Sequence, residues 1–98
     1  MEASEQNHRL SLVFDGRVQG VGFRYTVAEV ASRHAVKGFV RNEWDGASVS
    51  IVAEGRKSEL EAFVQGIYRS AVGPGIRHEH REWGEATGAF DRFEIRYR

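Results

Sequence analysis

Residues 9–34 read RLSLVFDGRVQGVGFRYTVAEVASRH, and the hydrophobic period changes within them. Leu10, Leu12 and Phe14 alternate with Arg9, Ser11 and Val13, the period of two that gives a strand one buried face. Asp15-Gly16 ends that strand. The segment Gly16-Arg17-Val18-Gln19-Gly20-Val21-Gly22 then gathers three glycines, which permit positive φ and a close approach of backbone to a bound group. From Phe23 onward the apolar residues fall at Phe23, Val27, Val30 and Ala31, while Arg24, Glu29, Ser32 and Arg33 lie elsewhere around the cylinder. This spacing predicts a helix running to about His34, so the stretch is strand, glycine loop, helix.

Beyond this stretch, Val36 to Asn42 reads as a strand around Phe39 and Val40. Asp45-Gly46 is a hairpin signal, after which Val49, Ile51 and Ala53 alternate with Ser48, Ser50 and Val52. Ser58 and Glu61 have capping-box spacing, and Leu60, Phe63, Val64, Ile67 and Ala71 outline a second amphipathic helix that stops before Gly73-Pro74-Gly75. Ile76 to Trp83 is strand-length but mostly polar, and Phe90 to Tyr97 sets Phe93, Ile95 and Tyr97 on one face. The order β-α-β-β-α-β with an extra terminal strand predicts an α+β, ferredoxin-like split βαβ sandwich. Its five-stranded, mostly antiparallel sheet carries two helices on one face. The expected core is Leu10, Leu12, Phe14, Val27, Val30, Ala31, Val49, Ile51, Leu60, Phe63, Ile67 and Phe93.

Ninety-eight residues support one such core, so 9–98 is read as a single domain behind a flexible N-terminal tail, 1–8. The absence of Cys excludes a disulfide framework, a thiolate nucleophile and a Cys-built metal site, and it fits a cytoplasmic protein. Fourteen basic against 14 acidic residues argue against a nucleic-acid binder held by counterion release, and no apolar run is long enough to span a membrane.

A glycine-rich turn leading into a helix points several backbone N–H groups at one spot, beside the positive end of the helix dipole. Arg24 adds a planar, permanently charged fork suited to two phosphate oxygens. By itself the segment is also consistent with an ordinary turn. It lacks the Gly-Lys-Ser/Thr of a nucleotide-binding loop and the third glycine of a dinucleotide fingerprint.

Gly16-Arg17-Val18-Gln19-Gly20-Val21-Gly22-Phe23-Arg24 resembles the signature of the acylphosphatase family. Lys37-Gly38-Phe39-Val40-Arg41-Asn42 followed by Asp45-Gly46 resembles that family's second motif, and Ala53-Glu54-Gly55 and Phe93-Glu94-Ile95-Arg96-Tyr97 resemble its later landmarks. The resemblance implies hydrolysis of the carboxyl-phosphate bond of small acyl phosphates. It implies that phosphate is held by Gly16, Arg17, Val18, Gln19, Gly20, Val21, Gly22, Phe23 and Arg24, with Arg24 and Asn42 catalytic and Asn42 placing the attacking water. No cofactor and no metal is expected. The leaving carboxylate, with a pKa of about 4, needs no general acid at neutral pH. Inorganic phosphate is expected as product and inhibitor, and the chain as a monomer.

Three departures from the family pattern bear on activity. Glu43 stands where Thr is common and brings a negative charge toward an anion site. The hairpin between Gly46 and Val49 is one residue longer than usual, which predicts a bulge and in the worse case an Asn42 turned away from the water. The span after Gly73-Pro74 is about three residues short by the same comparison.

Other chemistry-bearing residues receive plainer readings. His78 and His80 share a strand face but lack an evident third ligand, and they read as a solvated, charged edge. His8 falls in the tail and His34 at a helix end; Glu59 and Glu61 suit a helix's first turn. Ser48 and Ser50 have no evident base and read as solvent-facing, and Trp44 reads as packed on the end of the sheet, with a place beside the substrate entrance as the alternative. The competing function is a noncatalytic binding or regulatory module for nucleic acid or a phosphate-containing ligand. Lys37-Gly38-Phe39 matches the opening of an RNA-binding box, but Val40-Arg41-Asn42 does not continue it.

Overall fold

The computed structural model of the protein describes residues 6–97. Its strands are β1 (Asn7–Gly16), β2 (Lys37–Asn42), β3 (Ser48–Arg56), β4 (Ile76–Glu85) and β5 (Phe93–Arg96). Its helices are α1 (Phe23–Ala31) and α2 (Lys57–Arg69), with a 3₁₀ turn at Gly73–Gly75. The sheet order is β4-β1-β3-β2-β5, antiparallel throughout except for the β2–β5 pair.

The alternation seen in the first strand becomes a row of buried side chains across the sheet. Leu10, Leu12 and Phe14 stand opposite Ala53, Ile51 and Val49, and beyond these Gly38 and Val40 on β2 face Phe93 and Ile95 on β5. Both helices cover this face. Val27, Val30 and Ala31 come from α1, and Leu60, Phe63, Val64 and Ile67 from α2. The helices approach closely at Gly66, where a Cβ would lie 2.7 Å from Val30 Cγ1. Burying each large apolar side chain here contributes about 1.5–3 kcal/mol. The expected core is buried throughout except Phe93, which is half-buried beside Phe63 on the edge strand.

The structure corrects several boundaries. β1 begins at Asn7, so Asn7 and His8, expected in the tail, pair with Arg56 and Gly55; positions 1–5 of that tail lie outside the described residues. α1 ends at Ala31 and tightens into turns in which Arg33 and His34 N–H donate to Val30 and Ala31 carbonyls. α2 starts at Lys57 with Arg56 at the cap position, so Ser58 lies inside the first turn, past the position a capping box requires. The β2–β3 ladder runs without a bulge to Asn42 opposite Val49. The longer hairpin is absorbed in the loop, where Asp45 Oδ1 accepts from the N–H groups of Ala47 and Ser48, both at 2.9 Å. These bonds, with one from the Ser48 hydroxyl at 2.7 Å, hold the Asp45 carboxyl below its usual value. Ser48 is therefore buried and satisfied, not solvent-facing, while Trp44 is 83% exposed and not packed on the sheet end.

The edge strand β4 is charged as expected, and its helix-side residues are tied together. Glu79 accepts from Tyr68 on α2 and from Arg81. Burial, reinforced by the Glu79 contact, pushes the Tyr68 hydroxyl up to about 12. On the uncovered face His78 pairs with Asp15 at 2.8 Å and His80 with Glu82 at 3.2 Å.

At the far end of β3, Glu54 is buried and accepts from Arg9 Nε at 2.7 Å, Thr87 N–H at 2.9 Å, Thr87 Oγ1 at 3.0 Å and Gly88 N–H at 3.0 Å. Burial raises its pKa, but these donors together outweigh burial and hold the carboxyl below its ordinary value of 4.5. The folded chain thus favours the charged form. The resulting stability is complete above the unfolded-state value and is lost as pH falls through the folded one. Glu54→Gln is expected to cost about 1.5–3 kcal/mol at neutral pH. The wild-type melting temperature should drop more steeply below pH 4.5 than that of the variant, and parallel pH profiles would show that Glu54 carries no such linkage.

Candidate active site

The loop between β1 and α1 is held at its base by two backbone contacts. Arg17 N–H donates to the Gly75 carbonyl at 2.8 Å, and a Cβ on Gly75 would lie 2.4 Å from the Arg17 carbonyl oxygen, so the 3₁₀ turn and the loop meet without side chains between them. Val18 is fully buried and pins the middle of the loop. Gly22 occupies the cap position of α1 at φ 76°, a left-handed conformation in which a glycine is strain-free. No side chain caps the helix and its first turn holds no acidic residue, so the N–H groups that open α1 have no partner of opposite charge there.

A cavity of about 160 Å³ opens at this point, lined by Val18, Gly20, Gly22, Phe23, Arg24, Tyr25, Asn42, Ile95 and Tyr97. Of the residues singled out from the sequence, Val18, Gly20, Gly22, Phe23, Arg24 and Asn42 meet here. Gly16, Arg17, Gln19 and Val21 do not line it. Gly16 lies at the strand end, where the β1–β4 register shifts, and Val21 is 40% exposed. Tyr25, Ile95 and Tyr97 are site residues not expected from the sequence. The Arg24 guanidinium stands 4.7 Å from the centre of the Tyr97 ring, which braces a long, flexible side chain at the cavity wall.

Asn42 shares the helix-covered face with Gly38 and Val40, because side chains two apart on a strand point the same way. Its Oδ1 is buried without a hydrogen-bond partner among the described residues. Such an atom costs about 1–3 kcal/mol unless something else satisfies it. Glu43, next in sequence, is not among the cavity's lining residues: its carboxylate accepts from Arg41 Nε at 3.2 Å. The expected unfavourable charge is thus directed to a neighbouring arginine.

Gln19 links loop and hairpin. Its Nε2 donates to the Glu43 carbonyl at 3.1 Å and to the Ser48 carbonyl at 2.8 Å, so both amide protons are committed one residue beyond Asn42 on β2 and one before Val49 on β3. The Gln19 side chain thus holds the two halves of the site together. Among the described residues no group of three His, Asp or Glu side chains could hold a metal ion. Phe39 and Phe90 on the uncovered face have the Arg96 guanidinium 4.2 and 5.8 Å from their centres, so arginine covers the rings that would stack on bases.

The fold and this cavity define a ferredoxin-like domain whose first helix starts uncapped behind a glycine loop, at a cavity that holds Arg24 and Asn42. The acylphosphatase family model matches residues 10–95. An acylphosphatase of Paenarthrobacter aurescens (strain TC1) is 38% identical over 92 residues, covering 94% of this chain and 97% of that protein. One of Pyrobaculum islandicum is 42% identical over 90 residues, covering 92% and 95%. The crystal structure of acylphosphatase from Bacillus subtilis has a TM-score of 0.83 at 34% identity, covering 92% of this chain and 99% of that one. The chain belongs to the acylphosphatase family.

The Gln19 bridge yields a test of the site's construction. Gln19→Leu removes two hydrogen bonds worth about 0.5–1.5 kcal/mol each, and by loosening the hairpin it should lower kcat about tenfold or more. Stability by denaturant titration and turnover on one acyl phosphate would be measured together; unchanged turnover would show that Asn42 keeps its place without the bridge.

Proposed function

We propose that this chain hydrolyses the carboxyl-phosphate bond of small acyl phosphates, without metal or cofactor, giving a carboxylate and inorganic phosphate. The observation that carries the reading is the buried, unpartnered Oδ1 of Asn42 in the same cavity as Arg24 and the loop that opens α1. An anion site needs donors, which Arg24 and the backbone supply. It does not need an orphaned acceptor, whereas a hydrolase needs one to hold water.

In this mechanism the phosphoryl oxygens lie against the N–H groups of the loop and the Arg24 guanidinium. These donors are fixed before reaction and stabilise the charge on the equatorial oxygens. Asn42 Oδ1 accepts from a water whose oxygen attacks phosphorus. The bond from phosphorus to the carboxyl oxygen breaks, and its electron pair leaves with the carboxylate. The water's second proton ends on the phosphate, so atoms and charge balance as carboxylate plus dihydrogen phosphate. Because the leaving group is a weak base, its departure requires no proton donor. The lack of Cys supports a cytoplasmic setting, and no described helix is long and apolar enough to cross a membrane. Inorganic phosphate, sharing the substrate's oxyanion, is a competitive inhibitor in this account.

Arg24 and Asn42 should separate by role. Arg24 meets oxygens charged already in the ground state, so Arg24→Gln forfeits charge-assisted bonds of about 1.5–3 kcal/mol each and should abolish phosphate inhibition along with turnover. Asn42 meets water, so Asn42→Ala should leave the phosphate inhibition constant within about threefold while kcat falls by a factor on the order of 100. The assay is hydrolysis of benzoyl phosphate with chelator present. Loss of phosphate binding in Asn42→Ala would place Asn42 in the cradle, and a wild-type protein that binds phosphate without turnover would make the chain a binding module.

A further inference from the structure

The sheet ends on β4, which is ten residues long, lacks proline, and faces no other strand on its outer side among the described residues. Alternate residues of such an edge direct N–H and C=O outward, a template for a further strand. Native edges are guarded by brevity, proline, bulges or charge. The β1–β4 register shifts only at the Gly16 end of the pair, so from His78 onward the guard is charge, in the order His78-Glu79-His80-Arg81-Glu82. A row of charges repels a strand only where like charges come opposite one another. In one register of this row they do not.

Two copies of β4 related by a two-fold axis run antiparallel. Their ladder closes only when the axis brings a residue opposite itself, since opposed residues must both direct their backbone outward or both inward. An axis at His80 sets Glu79 opposite Arg81 and His78 opposite Glu82, each twice by symmetry, and His80 opposite itself. An axis at Glu79, Arg81 or Glu82 sets that charge against its own copy. We propose that β4 binds a second copy of this chain in the register centred on His80, joining two five-stranded sheets into one. The charges are already in place. Glu79 is half-buried and accepts from Arg81 and from Tyr68, so little side-chain freedom is lost when it meets Arg81 of the second copy on the helix side. His78 and Glu82 are exposed on the uncovered face, where the second pair forms. A single ladder is much smaller than the interface of an obligate dimer, so the dilute chain is the monomer expected from its sequence and pairs at high concentration. β4 lies at the opposite edge of the sheet from β5, so the cavity with Arg24 and Asn42 stays open in both copies.

Sedimentation equilibrium of the full chain tests the register, at about pH 8, where an imidazole is neutral. Up to about 1 mM, wild type should show a monomer–dimer equilibrium with a Kd on the order of 100 µM. Glu79→Arg and Arg81→Glu each set like charges opposite one another twice, and each alone should raise Kd about tenfold or more. An equimolar mixture of these two variants restores opposite charges across the axis and should dimerise within about threefold of wild type. His78→Lys puts a cation opposite Glu82 and should tighten the dimer about threefold, a gain that no folding defect produces. Circular dichroism confirms that each variant is folded, and should a charge reversal unfold the chain, His78→Lys decides. A wild type that is monomeric throughout this range, a mixture of folded variants that stays monomeric, or a His78→Lys variant that pairs no more tightly than wild type overturns the proposal. Glu85→Arg should leave Kd unchanged; weakening as large as that from Glu79→Arg would place the axis at Trp83, with Arg81 opposite Glu85, and overturn the register.

Discussion

The site depends on one constraint: α1 must begin at an uncapped, left-handed Gly22 behind a loop tied down at Arg17, Val18 and Gln19. The N–H groups that open a helix ordinarily find a serine, threonine or aspartate side chain, and that cap removes their attraction for an anion. Here no side chain fills the role and the first turn is free of carboxylates. The cost of leaving these donors open is met by rigidity elsewhere. Val18 is buried below the loop, Gly75 meets Arg17 backbone to backbone, and the Gln19 amide spans the hairpin. Donors that are held before the substrate arrives need no reorganisation when charge develops, which is where electrostatic catalysis gains most of its effect.

This local arrangement leaves one positive charge unneutralised in a chain with no net charge. Several arginines of the sheet are neutralised nearby: Arg9 by Glu54, Arg41 by Glu43, Arg96 by Glu94. Arg24 is different. It meets an aromatic ring, Tyr97, which orients the guanidinium without neutralising it. A ring brace of this kind leaves the charge available to a ligand, whereas a carboxylate partner would compete with the ligand for the same N–H groups.

How much is legible in the sequence follows from how far each interaction reaches. Strand and helix periods expose the covered face directly, so Leu10, Leu12, Phe14, Phe63 and Ile67 are readable without a structure. The glycine loop is readable because only glycine takes φ 76° without strain at the helix entrance. Tyr97 is not readable as a site residue. Its position depends on β5 pairing in parallel with β2, a contact between segments far apart in the chain. The Gln19 bridge is hidden for a related reason, since an amide in a loop has no period and its partners, the Glu43 and Ser48 carbonyls, belong to another element. The extra hairpin residue suggests a bulge that would swing Asn42 away. Asp45 instead collects the spare N–H groups of Ala47 and Ser48, and the ladder keeps its register.

The central claim is that a fixed set of backbone donors with Arg24 makes the anion site. Amide-resolved NMR during titration with inorganic phosphate tests it most directly. The account predicts saturable shifts concentrated at Gly20, Gly22 and Phe23 and at the Arg24 side-chain Nε–H, all moving along one binding curve. Shifts that are absent at these positions, or centred on an arginine elsewhere such as Arg77 or Arg92, would contradict it.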